Sequence, residues 1–199
     1  MIESIASELV SLPSVFGDFS AQVFVDPRDQ SEHLALVLGD VNGNQEVMVR
    51  LHSECVTGDV FGSLRCDCGH QLKASLVKIS ECGRGVLLYL RQEGRGVGLL
   101  NKIRAYDLQA QGLDTFAANE ALGLPADARE YESAAAVLKK LGVTHVVLLT
   151  NNPEKITALR QCGIKVVKRV NLGGGRTRFN WLYLNDKVSI AGHDPSLLA

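Results

Sequence analysis

Cys55, Cys66 and Cys68 lie within LHSECVTGDVFGSLRCDCGHQL, a stretch too polar and too rich in glycine to be core. Soft thiolates spaced as one upstream residue and a close pair after a loop suit zinc. Three protein ligands leave a fourth position for water, which is the arrangement of a catalytic zinc. A closed structural site would take its fourth ligand from His52, Asp67 or His70, all near in sequence. On the residues alone a catalytic zinc, a structural zinc and a metal-free loop all stay open. His52-Ser53-Glu54 spells the H-x-E half of the nucleobase deaminase pattern. The pair here is C-x-C instead of P-C-x-x-C, which argues against that fold while leaving zinc-activated hydrolysis open. With five cysteines and no export signal at the start, a disulfide framework is a poor explanation. Cys82 and Cys162 each stand before a glycine at the end of a helix-like run and are expected to be packing residues.

A second chemistry-bearing stretch is RQEGRGVGLLNKIRAY, which follows the apolar run GVLLYL. Strand, glycine turn and helix start together make an anion site, because free backbone N–H groups and the positive end of the helix dipole point the same way. The spacing G-x-G-x-G matches neither the dinucleotide fingerprint nor the P-loop, and a tight turn that simply needs glycines explains it equally well. Arg91, Arg95, Lys102 and Arg104 crowd this turn, and Arg50 precedes the cysteines. Singly these are solvated charges, but grouped they suit a triphosphate. Thr150-Asn151-Asn152-Pro153-Glu154-Lys155 follows another apolar run, at the strand edge where parallel sheets bind ligands. A polar loop with a helix cap at Asn152 is the equally good alternative.

The elements that must position these residues are legible in outline. Ala21–Val25, Leu34–Leu38 and Val47–Leu51 read as strands broken by the turn at Asp40–Asn44, and suggest an antiparallel meander. Leu72, Leu76 and Ile79 recur at helical spacing in a helix that Gly83 closes, and Val86–Leu90 is a buried strand. Helices over Leu99–Gln111 and Ala134–Leu141, a strand at His145–Thr150, a helix begun by Pro153 and a strand at Ile164–Val167 follow. The fold class is therefore α/β with some α+β character: antiparallel N-terminal strands joined to a largely parallel sheet covered by helices. Residues 1–172 read as one catalytic domain. Gly173-Gly174-Gly175 then reads as a flexible junction to a tail, 173–199, that shows no strong period.

The 199 residues are 46% hydrophobic and 22% charged, as in a soluble globular protein. With 21 basic against 22 acidic residues and a net charge of -1, there is no basic excess for a nucleic acid polymer. No apolar stretch is long enough to span a bilayer, so no membrane partner is expected and the expected location is cytoplasmic.

Taken together, VRLHSECVTGDVFGSLRCDCG, GRGVLLYLRQEGRGVGLLNKIRAYDLQ, GLDT with NEALG, ADARE and LLTNNPEKI resemble the GTP cyclohydrolase II family. They run in the right order from about Val49 to Val170, and their combination is far more specific than any one motif. The resemblance implies one zinc per chain on Cys55, Cys66 and Cys68, and magnesium with the triphosphate. It implies GTP contacts from Arg50, Leu51, His52, Ser53, Glu54, Gln71, Glu93, Gly94, Arg95, Thr115, Thr150 and Lys155. It further implies Asp127 as general base, Arg129 as nucleophile toward the α-phosphate, and Tyr106 in ring opening. A homodimer that opens the guanine ring of GTP, releases formate and pyrophosphate and so begins riboflavin synthesis is the activity it points to. A paralogue serving another pathway and a catalytically silent GTP-binding regulator with structural zinc are the alternatives. Two positions depart from the pattern: Glu130 stands where the family usually has aspartate, and Ala117 where glutamate is common. The extra domain of the fused forms, which make dihydroxybutanone phosphate, has no counterpart here, so cyclohydrolase activity alone is expected.

Overall fold

The computed structural model describes residues 5–125 and 127–198, with only the backbone described at positions 5, 44, 115 and 116. Its strands are β1 (Ile5–Ala6), β2 (Val10–Ser14), β3 (Gly17–Val25), β4 (Glu32–Leu38), β5 (Gly43–Ser53), β6 (Gly85–Leu90), β7 (Val143–Leu149) and β8 (Lys165–Val170). Its helices are α1 (Val56–Asp59), α2 (Cys68–Cys82), α3 (Leu99–Ala110), α4 (Thr115–Ala121), α5 (Glu132–Lys140), α6 (Pro153–Gln161) and α7 (Trp181–Ser189). The chain divides into two compact units. The first comprises Met1–His52, Leu72–Arg91 and Tyr131–Leu172; the second comprises Ser53–Gln71, Gln92–Glu130 and Gly173–Ala199.

The first unit is built on one sheet of order β1-β3-β4-β6-β5-β7-β8, with β2 also paired to β3. In β4 every second residue, His33, Ala35 and Val37, is buried, the period-two signature of a strand with one covered face. β6 reads as a continuous apolar run because it is covered on both sides. Val86, Leu88 and Leu90 face a cluster with Val47, Val49, Leu51 and the helix residues Ala134, Leu138 and Leu159, whereas Leu87 joins Phe19, Leu76, Ile79, Leu149 and Leu172. Helices α5 and α6 thus pack against one face of the sheet, and α2 against the other.

The α/β class is as expected, but the strand order corrects the meander. β3 and β4 pair antiparallel, with Ala21 opposite Leu36, whereas the strand expected at Val47–Leu51 does not sit beside them. β6 takes that place, antiparallel to β4, and β5 lies beyond it, parallel to β7. The physical reason is burial: GVLLYL is the most continuously apolar strand and so occupies an interior position. Parallel pairing is confined to β5, β7 and β8.

Local capping follows the sequence. Asn152 caps α6, its side-chain oxygen accepting from the Glu154 N–H at 2.8 Å, with Pro153 in the first helical turn. Cys162 packs half-buried against the core as expected. Cys82 corrects the packing assignment: it is exposed, as are its neighbours Glu81 and Gly83, because it is the last residue of α2. Between β3 and β4, buried Asp26 accepts from the Arg28 guanidinium at 2.7 Å and from the Ser133 hydroxyl of α5. The Arg28 hydrogen bonds, acting against the penalty of burial, and Ser133 hold the Asp26 carboxyl far below the usual carboxylate range.

The second unit carries α1, the first turn of α2, α3, α4 and α7, with a 3-10 turn at Glu93–Gly96 and another at Pro195–Leu198. The stretch after residue 172 is more than a junction. A Cβ on Gly174 would stand 2.2 Å from the Leu197 carbonyl oxygen, and one on Gly175 would stand 2.6 Å from the His70 ring, so these glycines permit close packing. Beyond them lies α7, with Leu184 and Lys187 buried.

Candidate active site

Cys55 immediately precedes α1, and Cys68 is the first residue of α2. Cys55, Cys66 and Cys68 converge with their three sulfurs all within 4.8 Å, and the Cys55 and Cys66 sulfurs are 3.7 Å apart. A tetrahedral zinc with Zn–S of about 2.3 Å sets its sulfurs about 3.8 Å apart, so this edge already has the right length. Two glycines allow the convergence. A Cβ on Gly58 would lie 2.8 Å from the Cys66 sulfur and 3.2 Å from that of Cys55, and one on Gly69 would lie 2.2 Å from the Gly58 carbonyl oxygen. Asp67 turns away from the thiols: its carboxylate accepts from Lys187 and from Gln71, each at 2.6 Å. His70 lies against Gly175, and His52, in the first unit, stacks on Tyr89 with ring centroids 5.4 Å apart. Among the described residues the cluster therefore offers three thiols and no fourth protein ligand. That donor set fits zinc with an open position.

Lys102 on α3 places its ammonium 3.1 Å from the Cys55 sulfur and 2.8 Å from Glu93 Oε1. Glu93 in turn accepts from the backbone N–H of Val56 at 2.7 Å and of Gly94 at 2.8 Å, so one carboxylate ties the glycine turn to α1. Hydrogen bonds from Cys66 and Cys68, with Lys102 beside it, hold the Cys55 thiol far below its ordinary value. The same sharing, with burial, pushes the Cys66 and Cys68 thiols up. Burial works against the Lys102 charge, yet the Glu93 hydrogen bond and the Cys55 sulfur keep it above the lysine range. Tyr106 stands four residues beyond Lys102 on the same helical face, its ring centroid 5.8 Å from that ammonium and 4.5 Å from the Arg65 guanidinium carbon. Burial raises the Tyr106 phenol, with the Thr57 hydrogen bond and Lys102 opposing. The sequence showed Lys102 only as one of several cations at the glycine turn; its spacing from Tyr106 was the signal for more. Arg65 carried no signal.

The glycine turn is shaped by close approach. Gly94 and Arg95 both take left-handed backbone angles, φ 62° and 60°, a strained state for arginine. Gly96 has φ 86°, and a Cβ there would lie 3.0 Å from the Ala128 carbonyl atoms; the Ala128 N–H donates to the Arg95 carbonyl at 2.9 Å. The turn is thereby bonded to the Asp127-Ala128-Arg129 stretch. Arg129 grips Asp127 through Nε at 2.8 and 3.1 Å, through its backbone N–H at 3.0 Å, and through a terminal guanidinium nitrogen. Desolvation of this carboxylate, 27% exposed, is outweighed by those bonds, and Asp127 sits below the usual range.

The residues assigned from the resemblance fall into both units. In the first, Arg50, Leu51, His52, Thr150 and Lys155 gather at the C-terminal ends of the parallel strands β5 and β7, where such sheets place ligands. Lys155 donates to the Leu51 carbonyl at 2.7 Å, Arg50 to that of Leu149 at 3.0 Å, and the Thr150 hydroxyl accepts from the Asn152 N–H at 3.0 Å. In the second unit lie Ser53, Glu54, Gln71, Glu93, Gly94, Arg95, Tyr106, Asp127, Arg129 and the three cysteines. Ser53 accepts from the Gln92 amide at 3.1 Å. Thr115 opens α4, but its side chain lies outside the described residues.

An α/β chain with a cluster of three thiols that could hold a metal ion is what fold and site define. The family model for GTP cyclohydrolase II matches residues 5–171, and the chain belongs to that family. It is 54% identical over 182 residues to a GTP cyclohydrolase-2 of Histophilus somni (92% of this chain, 84% of the relative) and 51% identical to one of Shewanella oneidensis (92% and 90%). It is also 55% identical over 184 residues to the riboflavin biosynthesis protein RibBA of Bacillus cytotoxicus, covering 92% of this chain and 46% of that one. The chain thus spans less than half the length of the RibBA relatives. Among the described residues no helix is long and apolar enough to cross a membrane.

Proposed function

We propose that the chain opens the imidazole ring of the guanine of GTP, releasing formate and pyrophosphate to leave a ring-opened diaminopyrimidine ribosyl phosphate for riboflavin synthesis. The observation that carries this reading is the three-thiol cluster with no fourth protein ligand, closed around Gly58 and flanked by Lys102 and Tyr106. Cys55, Cys66 and Cys68 would hold zinc, which when bound supplies Lewis acidity and lowers the pKa of water at the open position. Three thiolates donate more charge than three imidazoles. The N–H bond from Lys102 draws charge from the Cys55 sulfur and so offsets part of that donation. Tyr106, kept protonated by burial, holds the proton that the departing ring nitrogen takes up.

Pyrophosphate release is separate chemistry at the α-phosphate, with magnesium on the triphosphate and Arg129 on the developing charge. The geometry favours Arg129 as a phosphate clamp over a nucleophile. Its guanidinium, with a pKa above about 12, faces a carboxylate held below the ordinary value of about 3.9, so Asp127 is a poor acceptor for its proton. Arg50, Leu51, His52, Thr150 and Lys155 in the first unit, and Ser53, Glu54, Gln71, Glu93, Gly94, Arg95 and Thr115 in the second, are the proposed GTP contacts. Polar groups that read the guanine amide edge would be left unpaired by adenine, so GTP alone is the substrate.

The test quantifies formate and pyrophosphate and weighs the pyrimidine product by mass spectrometry, with GTP and with ATP. Equal formate and pyrophosphate from GTP and none from ATP are expected. A product retaining the formyl group would make the chain a paralogue, and no release at all a binding protein. We also propose a homodimer, on the family resemblance. Light scattering at micromolar concentration should give twice the chain mass, and a monomer mass would reject it.

A further inference from the structure

We propose that the segment Gly174 to Ser189 is a clasp that fixes the Cys66-Asp67-Cys68 turn, with Lys187 as the positioning residue for the metal ligands; this rests on the zinc reading above. The segment lies beyond residue 171, where the family match ends. It bonds the turn at two places and the chain leading into it, at Leu64, at a third. The Thr177 hydroxyl donates to the Leu64 carbonyl at 3.2 Å, the Asn180 amide donates to the Cys66 carbonyl at 3.5 Å and to the Gly175 carbonyl at 3.1 Å, and Lys187 donates to Asp67 at 2.6 Å. Asn180 is fully buried and its oxygen accepts from the Thr177 N–H at 2.7 Å, so the clasp is itself braced.

The spacing of Asn180, Leu184 and Lys187 puts the three buried positions on one helical face, four and then three residues apart. Asp67 stands between two metal ligands with a side chain 0% exposed, and Lys187 together with Gln71 satisfies its carboxylate. A rigid Asp67 leaves the flanking cysteines little freedom to swing. Charge points the same way, since three thiolates outweigh a divalent metal by one negative charge and Asp67 adds another. Lys187, like Lys102 on the Cys55 side, brings a compensating positive charge. Groups that orient metal ligands from behind typically change metal affinity about 10- to 100-fold when removed.

The test compares zinc-loaded wild type with Lys187→Met, with the double variant Asp67→Asn/Lys187→Met, and with Asn185→Ala on the exposed face of α7. The readouts are the rate at which zinc passes to a chromophoric chelator and the thiolate-to-metal absorption of the cobalt-substituted protein. Lys187→Met should release zinc at least about tenfold faster and shift the cobalt spectrum, while Asn185→Ala matches wild type. The double variant leaves no unpaired buried charge, so it reports even if Lys187→Met does not fold, and it too should lose zinc faster than wild type. Wild-type release rates and spectra in the folded variants would overturn the clasp alone. A wild type that binds no zinc would overturn both the clasp and the metal reading.

Discussion

The Lys102 ammonium bonds the Cys55 sulfur and the Glu93 carboxylate at once, and its helix carries Tyr106 one turn on. Replacing Lys102 with Met removes the N–H to sulfur bond while leaving all three thiols. We predict that zinc-loaded Lys102→Met releases formate about 10- to 100-fold more slowly, as expected for loss of a ligand's hydrogen-bond partner. An unchanged formate rate at full zinc occupancy would remove Lys102 from the chemistry. At Arg129 the prediction follows from its bonds to Asp127: during turnover of labelled GTP, quenched protein should carry no phosphoramidate. An adduct trapped on Arg129 would mean that it is a nucleophile after all.

At the scale of elements, α1 is the tightest constraint on the cluster. Gly58→Ala places a methyl 2.8 Å from one sulfur and 3.2 Å from another in a backbone that tolerates alanine, so the clash alone should abolish zinc binding. Gly62→Ala has nothing within 4 Å but a φ of +63°. It should destabilise by about 1 kcal/mol, as left-handed backbone does for alanine, and keep its zinc. Zinc analysis after gel filtration distinguishes the two, and zinc-replete Gly58→Ala would refute the steric account. In the first unit, Asp26 ties the β3–β4 turn to α5 with a carboxyl whose folded pKa lies below its unfolded value. Its stabilisation is therefore complete above the unfolded pKa, near about 4, and is lost as pH falls through the lower folded value. Ser133→Ala should lower unfolding free energy by about 1.5–3 kcal/mol at neutral pH, with the deficit shrinking in acid. A pH-independent deficit in urea titrations would contradict the assignment.

The elements also show what a sequence reveals. Helices α2, α3 and α6 and strands β4, β6 and β7 were legible because apolar period, glycine stops and Pro153 mark them. α7 was not, because its buried face includes Asn180 and Lys187, which are covered through hydrogen bonds and leave no apolar stripe. The place of β5 was not legible either, since strand order depends on which strand can be buried on both faces.

At the scale of the whole chain, the residues assigned to GTP are distributed over both units, and the three thiols lie in the second together with Tyr106, Asp127 and Arg129. The thiols were legible by type and spacing, and Lys102 as one of the cations at the glycine turn, while its bond to Cys55 and the places of Arg65 and Lys187 are revealed only by folding, because each reaches its partner across a large gap in sequence. On the proposed reading the two reactions use different residues of the second unit: ring opening would depend on the thiol cluster, and pyrophosphate release on Arg129 with magnesium. Parallel assays of formate and pyrophosphate from GTP with folded Cys66→Ser test that claim most directly. Removing one soft ligand should collapse formate release with zinc occupancy while pyrophosphate release continues and GMP accumulates. Formate release at the wild-type rate from zinc-free Cys66→Ser would contradict it.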